Sequence, residues 1–238
     1  MKTIGLLGGM SWESTTTYYR LINEGVRARL GGLHSAKIVL YSVDFHEIEQ
    51  LQHQGRWDEA GLLLAQTAKQ IESAGADFLV ICTNTMHRVA SQIESQIKIP
   101  LLHIADATGE EIKKAGLTTV GLLGTRFTME QDFYRGRLTE RYDLKVLIPD
   151  ERERELVHHV IYEELCLGKV RETSRDQYAT IIRGLLDRGA QGVILGCTEI
   201  SLLIKPEDIR TKLFDTTTIH AYKAVEWALQ GLRHKVQG

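Results

Sequence analysis

The chain has 238 residues, 43% of them hydrophobic and 25% charged, with a formal net charge of −2. That length supports one large or two small domains with a sizeable core. The near-neutral balance excludes the basic footprint that nucleic acid or an anionic membrane surface would require, so small molecules or protein partners remain. Three cysteines, Cys82, Cys166 and Cys197, without CxxC or Cys/His metal spacing, argue against a disulfide framework and against a structural metal site.

The chain opens with a short apolar run, residues 3–7, stopped by Gly8-Gly9 and soon followed by Glu13. It is too short for a signal peptide, and no stretch approaches the ~18 apolar residues of a membrane span; the sequence reads as cytoplasmic. Strand, glycine turn and helix follow in order, with Ser11 as the cap of a helix through Tyr18, Leu21 and Val26 that ends at Gly31-Gly32. Residues 37–43 read as a second strand, and 44–58 are too irregular to assign. Residues 59–74 show helical periodicity and lead into a strand ending at Cys82-Thr83. A helix over 86–97 and a strand over 100–104 complete the first half.

Then the pattern restarts. Val120-Gly121-Leu122-Leu123-Gly124-Thr125 repeats Ile4-Gly5-Leu6-Leu7-Gly8-Gly9 at an offset of 116 residues, and the Gly-Ala start of the strand at 75 recurs at 189, an offset of 114. Two agreeing offsets indicate an internal duplication. In the second half, 144–148 reads as a strand, 151–167 and 174–187 as helices, the apolar run ending at Cys197 as a strand, 212–215 as a short strand and 219–229 as a last helix. Strands alternating with helices predict an α/β fold of two similar lobes, each a parallel sheet flanked by helices. The lobes are expected at 1–98 plus 213–238 and at 99–212. Ligands of such sheets sit beyond the strands' carboxyl ends, where the duplication sets Thr83 against Cys197.

Cys197, in the polar run Gly196-Cys197-Thr198-Glu199, can serve as a base or nucleophile if a following helix start draws its pKa down from about 8.5; the bland alternative is a small buried hydrophobe. Cys82 suits that alternative, because strand alternation points it away from whatever Thr83 faces. Cys166 lies between Leu165 and Leu167 on an expected helix, where packing is as good an explanation as function. The glycines at 5, 8 and 9 lack G-x-G-x-x-G spacing and a Walker lysine; they are expected to allow close backbone approach and to aim amides at a substrate carboxylate. The nine histidines form no zinc-protease arrangement, and a Gly-x-Ser-x-Gly elbow is absent.

Three segments, Ile4-Gly5-Leu6-Leu7-Gly8-Gly9-Met10, Cys82-Thr83-Asn84-Thr85-Met86-His87 and Gly196-Cys197-Thr198-Glu199, together resemble the cofactor-independent aspartate/glutamate racemase family, over nearly the whole chain. The resemblance implies two α/β lobes with an active site in the cleft between them, a homodimer, an amino-acid substrate, and no pyridoxal phosphate or metal. It implies two cysteines flanking the substrate α-carbon, with Cys197 on the face that handles the L enantiomer. By the same resemblance Asn84, Thr85 and Thr198 match residues that hold the α-amino and α-carboxylate groups, with Met10, Gln52 and Thr125 as cleft neighbours. Glu199 is similar to the aspartate racemase branch.

Three departures qualify that pattern. The cysteine expected before Asn84 is Thr83, whose hydroxyl, with acidity near that of water, is no resting base at neutral pH. The lysine expected on the helix around 163–168 is replaced by Cys166, and the arginine expected after the second strand gives way to the acidic 46–50 stretch. A second substrate carboxylate would then lie unpaired, which is costly. The expectation is an amino-acid racemase working from the L side through Cys197, opposite Thr83, with broad or neutral specificity. An L-Asp/Glu-specific racemase, a one-cysteine decarboxylase of malonate-type acids and a non-catalytic amino-acid binder are the alternatives.

Overall fold

The computed structural model describes residues 1–231; the rest of the expected 213–238 segment, 232–238, lies outside the described residues. The chain forms two units, Met1–His103 with the chain from His220 onward, and Ile104–Ile219.

The first unit runs β1 (Ile4–Gly8), α1 (Trp12–Leu30), β2 (Ile38–Ser42), α2 (Phe45–His53), α3 (Trp57–Ser73), β3 (Phe78–Ile81), a 3₁₀ turn (Thr85–Val89), α4 (Ala90–Glu94) and β4 (Leu101–Leu102). Its sheet has the order β2-β1-β3-β4, with every pair parallel. A parallel sheet is covered on both faces, so its central strands must be apolar throughout, and β1 and β3 are buried at every position. Alternation divides the side chains between two cores. Leu7, Leu79 and Ile81 join Leu64, Ala68 and Ile71 on one face; Ile4, Leu6 and Val80 join Tyr18, Ile22 and Val225 on the other. Each such large buried side chain contributes about 1.5–3 kcal/mol relative to exposure.

In the second unit the order is α5 (Ile104–Lys114), β5 (Thr119–Gly124), α6 (Arg126–Glu130), α7 (Arg135–Tyr142), β6 (Lys145–Leu147), α8 (Glu151–Glu163), a 3₁₀ turn (Leu165–Leu167), α9 (Glu172–Asp187), β7 (Gly192–Gly196), α10 (Ile200–Leu203) and β8 (Lys212–Asp215). The last helix, α11 (Thr216–Leu229), begins here and continues into the first unit. The parallel order β6-β5-β7-β8 repeats that of the first unit. Register carries the duplication down to single residues: Leu7 lies beside Ile81, and Leu123 beside Leu195. The repeated glycine has a common reason. A Cβ on Gly5 would sit 2.5 Å from Ile71 Cγ2, and one on Gly121 would sit 2.9 Å from Leu185 Cδ1, so both glycines let a helix lie directly on the strand.

Several expectations shift. The divisions fall after His103 and Ile219 rather than at 98 and 212, because β4 is hydrogen-bonded beside β3 and β8 beside β7. The unassigned 44–58 stretch contains α2, capped by the Asp44 side chain on the His46 amide. The helix expected over 86–97 is a 3₁₀ turn followed by the short α4, and the strand over 100–104 is only Leu101–Leu102. The helix expected over 151–167 ends at Glu163, after an N-terminus fixed by an Asp150/Glu153 capping box.

Candidate active site

In the first unit the strand end is built around Thr83. Cys82 is fully buried in the α1-facing core, where burial pushes its thiol up and leaves it inert. Its carbonyl accepts a 3.0 Å hydrogen bond from Ser14 Oγ, tying α1 to the strand end. Thr83 is half-buried, while Asn84 and Thr85 are buried. The Thr83 carbonyl accepts from His87 Nδ1–H at 2.8 Å, and the Asn84 carbonyl accepts from the His87 amide at 3.1 Å.

Behind this turn lies a group of buried histidines. The His87 ring centroid is 4.5 Å from that of His103 and 5.7 Å from that of His220. His220 Nε2–H donates to the Leu102 carbonyl at 2.8 Å, which leaves Nδ1 to accept from the Tyr18 hydroxyl at 2.8 Å. These partners assign the tautomers. Burial, with the neighbouring imidazoles, holds His87 well below the ordinary histidine range, and burial lowers His220 to about 4. Both are neutral at pH 7.

Met10 is buried in the same cluster as Met86, and Gln52 of α2 donates from Nε2 to Met86 Sδ at 2.9 Å. Gln52 therefore reaches the turn that follows Thr83. The glycine loop differs from expectation: the Gly9 amide is taken by Thr15 Oγ1 at 2.8 Å and is not aimed outward at a ligand. Gly9 itself has φ +94°, and a Cβ there would strike the Val43 backbone, so the position requires glycine. Ser11 caps α1 as expected, accepting from the Ser14 amide.

In the second unit Gly124 and Gly196 are paired at the ends of β5 and β7, so Thr125 and Cys197 follow side by side. Thr125 caps α6 and exchanges a 3.2 Å hydroxyl contact with Thr128. Thr198 Oγ1 lies 2.9 Å from Thr217 Oγ1. Cys197 is half-buried, and its S–H donates to Glu199 Oε2 at 2.9 Å. Burial, then the Glu199 charge and Cys166, hold this thiol well above its ordinary value. The expected lowering by a helix start is overturned: α10 is only four residues long, and the nearest charge is negative. In the resting protein Cys197 is a thiol with a carboxylate beside it.

Cys166 occupies the 3₁₀ turn after α8 rather than the helix itself, and it borders Cys197 and Tyr178, whose phenol is pushed up by burial and by Cys197, Glu164 and Cys166. The buried Glu164 carboxylate accepts from Ser174 Oγ at 2.6 Å and pairs with Arg171 at 3.3 Å. The structure thus groups Cys197, Cys166 and Glu199 in one unit and Thr83, Asn84, Thr85, Gln52 and Met10 in the other. Sequence reading missed the contact of Glu199 with the sulfur; its signal was a carboxylate two residues beyond a candidate nucleophile. It also missed the histidine group, for which only His87, four residues after Thr83, gave a local cue. Among the described residues, no group of three or more His, Cys, Asp or Glu side chains is arranged to hold a metal, and no helix is long and apolar enough to cross a membrane.

Comparison with known proteins adds four findings. Residues 7–224 match the family model described as Asp/Glu/Hydantoin racemase. A crystal structure from Yersinia pestis, of a protein carrying a provisional Asp/Glu racemase name, is 59% identical with a TM-score of 0.92, covering 97% of this chain and 100% of that one. That of an aspartate racemase homologue from Pyrococcus horikoshii OT3 is 35% identical with a TM-score of 0.84, over 97% and 100% of the two chains. The broad specificity amino-acid racemase RacX of Bacillus subtilis (strain 168) is 26% identical over 137 residues, 56% of this chain and 58% of that protein.

Proposed function

The chain belongs to the Asp/Glu/hydantoin racemase family, and from that premise we propose that it is an amino-acid racemase in which Cys197 is the base for the L enantiomer. The observation that carries the reading is the 2.9 Å hydrogen bond from the Cys197 thiol to Glu199. Glu199 takes the sulfur's proton, and the thiolate so formed takes the substrate α-proton. The resulting carbanion is held as an enediolate by hydroxyl, amide and backbone donors, with Asn84, Thr85 and Thr198 assigned to the substrate's carboxylate and amino groups. Return of a proton on the opposite face falls to Thr83, directly or through a water it holds. A threonine hydroxyl can pass a proton on but cannot start the reaction as a base at pH 7, so D substrates enter poorly. The chemistry needs neither pyridoxal phosphate nor a metal.

Substrates with neutral side chains are favoured. Burial and then the Glu199 charge hold the Cys197 thiol up, and both oppose added negative charge beside it. Met10, Gln52, Thr125 and Cys166 are assigned to substrate contact. An L-Asp/Glu-specific enzyme is the competing reading, supported by the names of the Yersinia and Pyrococcus relatives. A homodimer in the reducing cytoplasm is the proposed setting, in keeping with three free cysteines. The test is incubation of L-homoserine, L-aspartate, L-glutamate and L-lysine in heavy water with chiral analysis. Racemisation with α-deuterium in a neutral substrate supports the proposal; label in aspartate and glutamate alone selects the competing specificity. Label in none, or label that survives Cys197→Ala, refutes it.

A further inference from the structure

We propose that His87 is a positioning residue for Thr83, fixing the peptide that follows it and hence where the Thr83 hydroxyl is held; the proposal rests on the racemase reading. The ring reaches back across one 3₁₀ turn to the Thr83 carbonyl at 2.8 Å, and the same residue's amide holds the Asn84 carbonyl at 3.1 Å. Because a peptide unit is planar, a fixed Thr83 carbonyl also fixes the direction of the Asn84 N–H. One residue therefore sets two successive peptides of the Thr83–Asn84–Thr85 turn.

The ring is itself held in place. His103, at the end of β4, and His220, on α11, pack against it edge-on, and both are buried. His220 has both nitrogens engaged, by Leu102 and by Tyr18 of α1. An apolar side chain would fill this space without the cost of burying a polar ring, a cost that hydrogen bonding offsets. A buried imidazole whose Nδ1–H is aimed at the residue proposed to return the proton therefore has a use beyond packing.

Two variants separate position from bulk. Asparagine places its amide nitrogen near where Nδ1 lies, whereas glutamine places its own near Nε2. In heavy water, with L-homoserine and L-aspartate as probes, two quantities are read: α-deuterium appearing in recovered L substrate, which needs Cys197 and Glu199 but not Thr83, and D product, which needs the Thr83 side as well. His87→Gln is expected to lower the ratio of D product to L wash-in about tenfold or more, and His87→Asn to keep it within about threefold of wild type. Equal ratios in the two variants, or both quantities falling in parallel, would overturn the assignment, since a purely structural role moves them together. Imidazole nitrogen–proton NMR of the wild type at pH 7 judges the geometry without turnover: a His87 Nδ1–H tautomer is expected, and an Nε2–H tautomer overturns the proposal. A wild type with no wash-in overturns the racemase reading and the role in proton return together, while the tautomer still decides the hydrogen bond.

Discussion

Replacing Glu199 with Gln keeps the size of the side chain and removes its charge, and it should move two properties of Cys197 in opposite directions. The carboxylate oxygen lies 2.9 Å from the sulfur. At an effective dielectric of about 20, a thiolate at that distance from a carboxylate is opposed by roughly 6 kcal/mol before relaxation. Water and side-chain movement reduce that figure, but the thiol pKa is expected to fall in Glu199→Gln. An easier thiolate would ordinarily mean faster chemistry. Here the reverse is expected, because glutamine cannot accept the sulfur's proton, and loss of a general base costs about 10²–10⁴ in rate. The pH dependence of Cys197 alkylation, compared with Cys197→Ala to subtract Cys82 and Cys166, reads the first property; α-deuterium wash-in reads the second. An unchanged alkylation profile, or wash-in that remains within about threefold of wild type, would refute Glu199 as the group that serves the sulfur.

Other consequences are open to test. Thr83→Cys should supply the base missing for D substrates and raise D-side wash-in by about 10² or more, with L-side wash-in retained; a D side that stays silent while the L side works would contradict the pairing of these positions. Protonation of His220 is suppressed in the folded protein, to about 4, against about 6.5 when unfolded. The unfolded chain therefore binds the extra proton, and stability falls as pH drops from about 6.5 to about 4, by roughly 3 kcal/mol from this residue, with no contribution above that window. Urea unfolding across the window should show a loss that is smaller in His220→Gln, and equal losses in the two proteins would refute it. Gly5→Ala places a methyl 2.5 Å from Ile71 Cγ2 and 2.9 Å from Ala76 Cβ. It should cost about 1–3 kcal/mol by crowding, read as a lower urea midpoint, and an unchanged midpoint would contradict the close seating of α3 on β1.

Much of this was legible in the chain itself, for physical reasons that differ by element. The central strands declared themselves because a sheet covered on both faces must be apolar at every position, as β1, β3, β5 and β7 nearly are. Their repeats gave the duplication, and register between neighbouring strands carries it to Thr83 and Cys197. By contrast, α2 was hidden because it is only nine residues long and buries only Ile48 and Gln52. The acidity of Cys197 was misjudged because the sequence cannot show how deeply the sulfur is buried, nor that Glu199 folds back onto it. His87, His103 and His220 come from three separate elements, so only tertiary packing gathers them.

The sulfur at position 197 is proposed to move the substrate's α-proton, and deuterium exchange at that carbon reports on that step. Wild-type protein in heavy water should place deuterium at the α-carbon of at least one L-amino acid, and Cys197→Ala, folded and otherwise unchanged, should place none. Exchange that persists without the sulfur would rule out that role for Cys197.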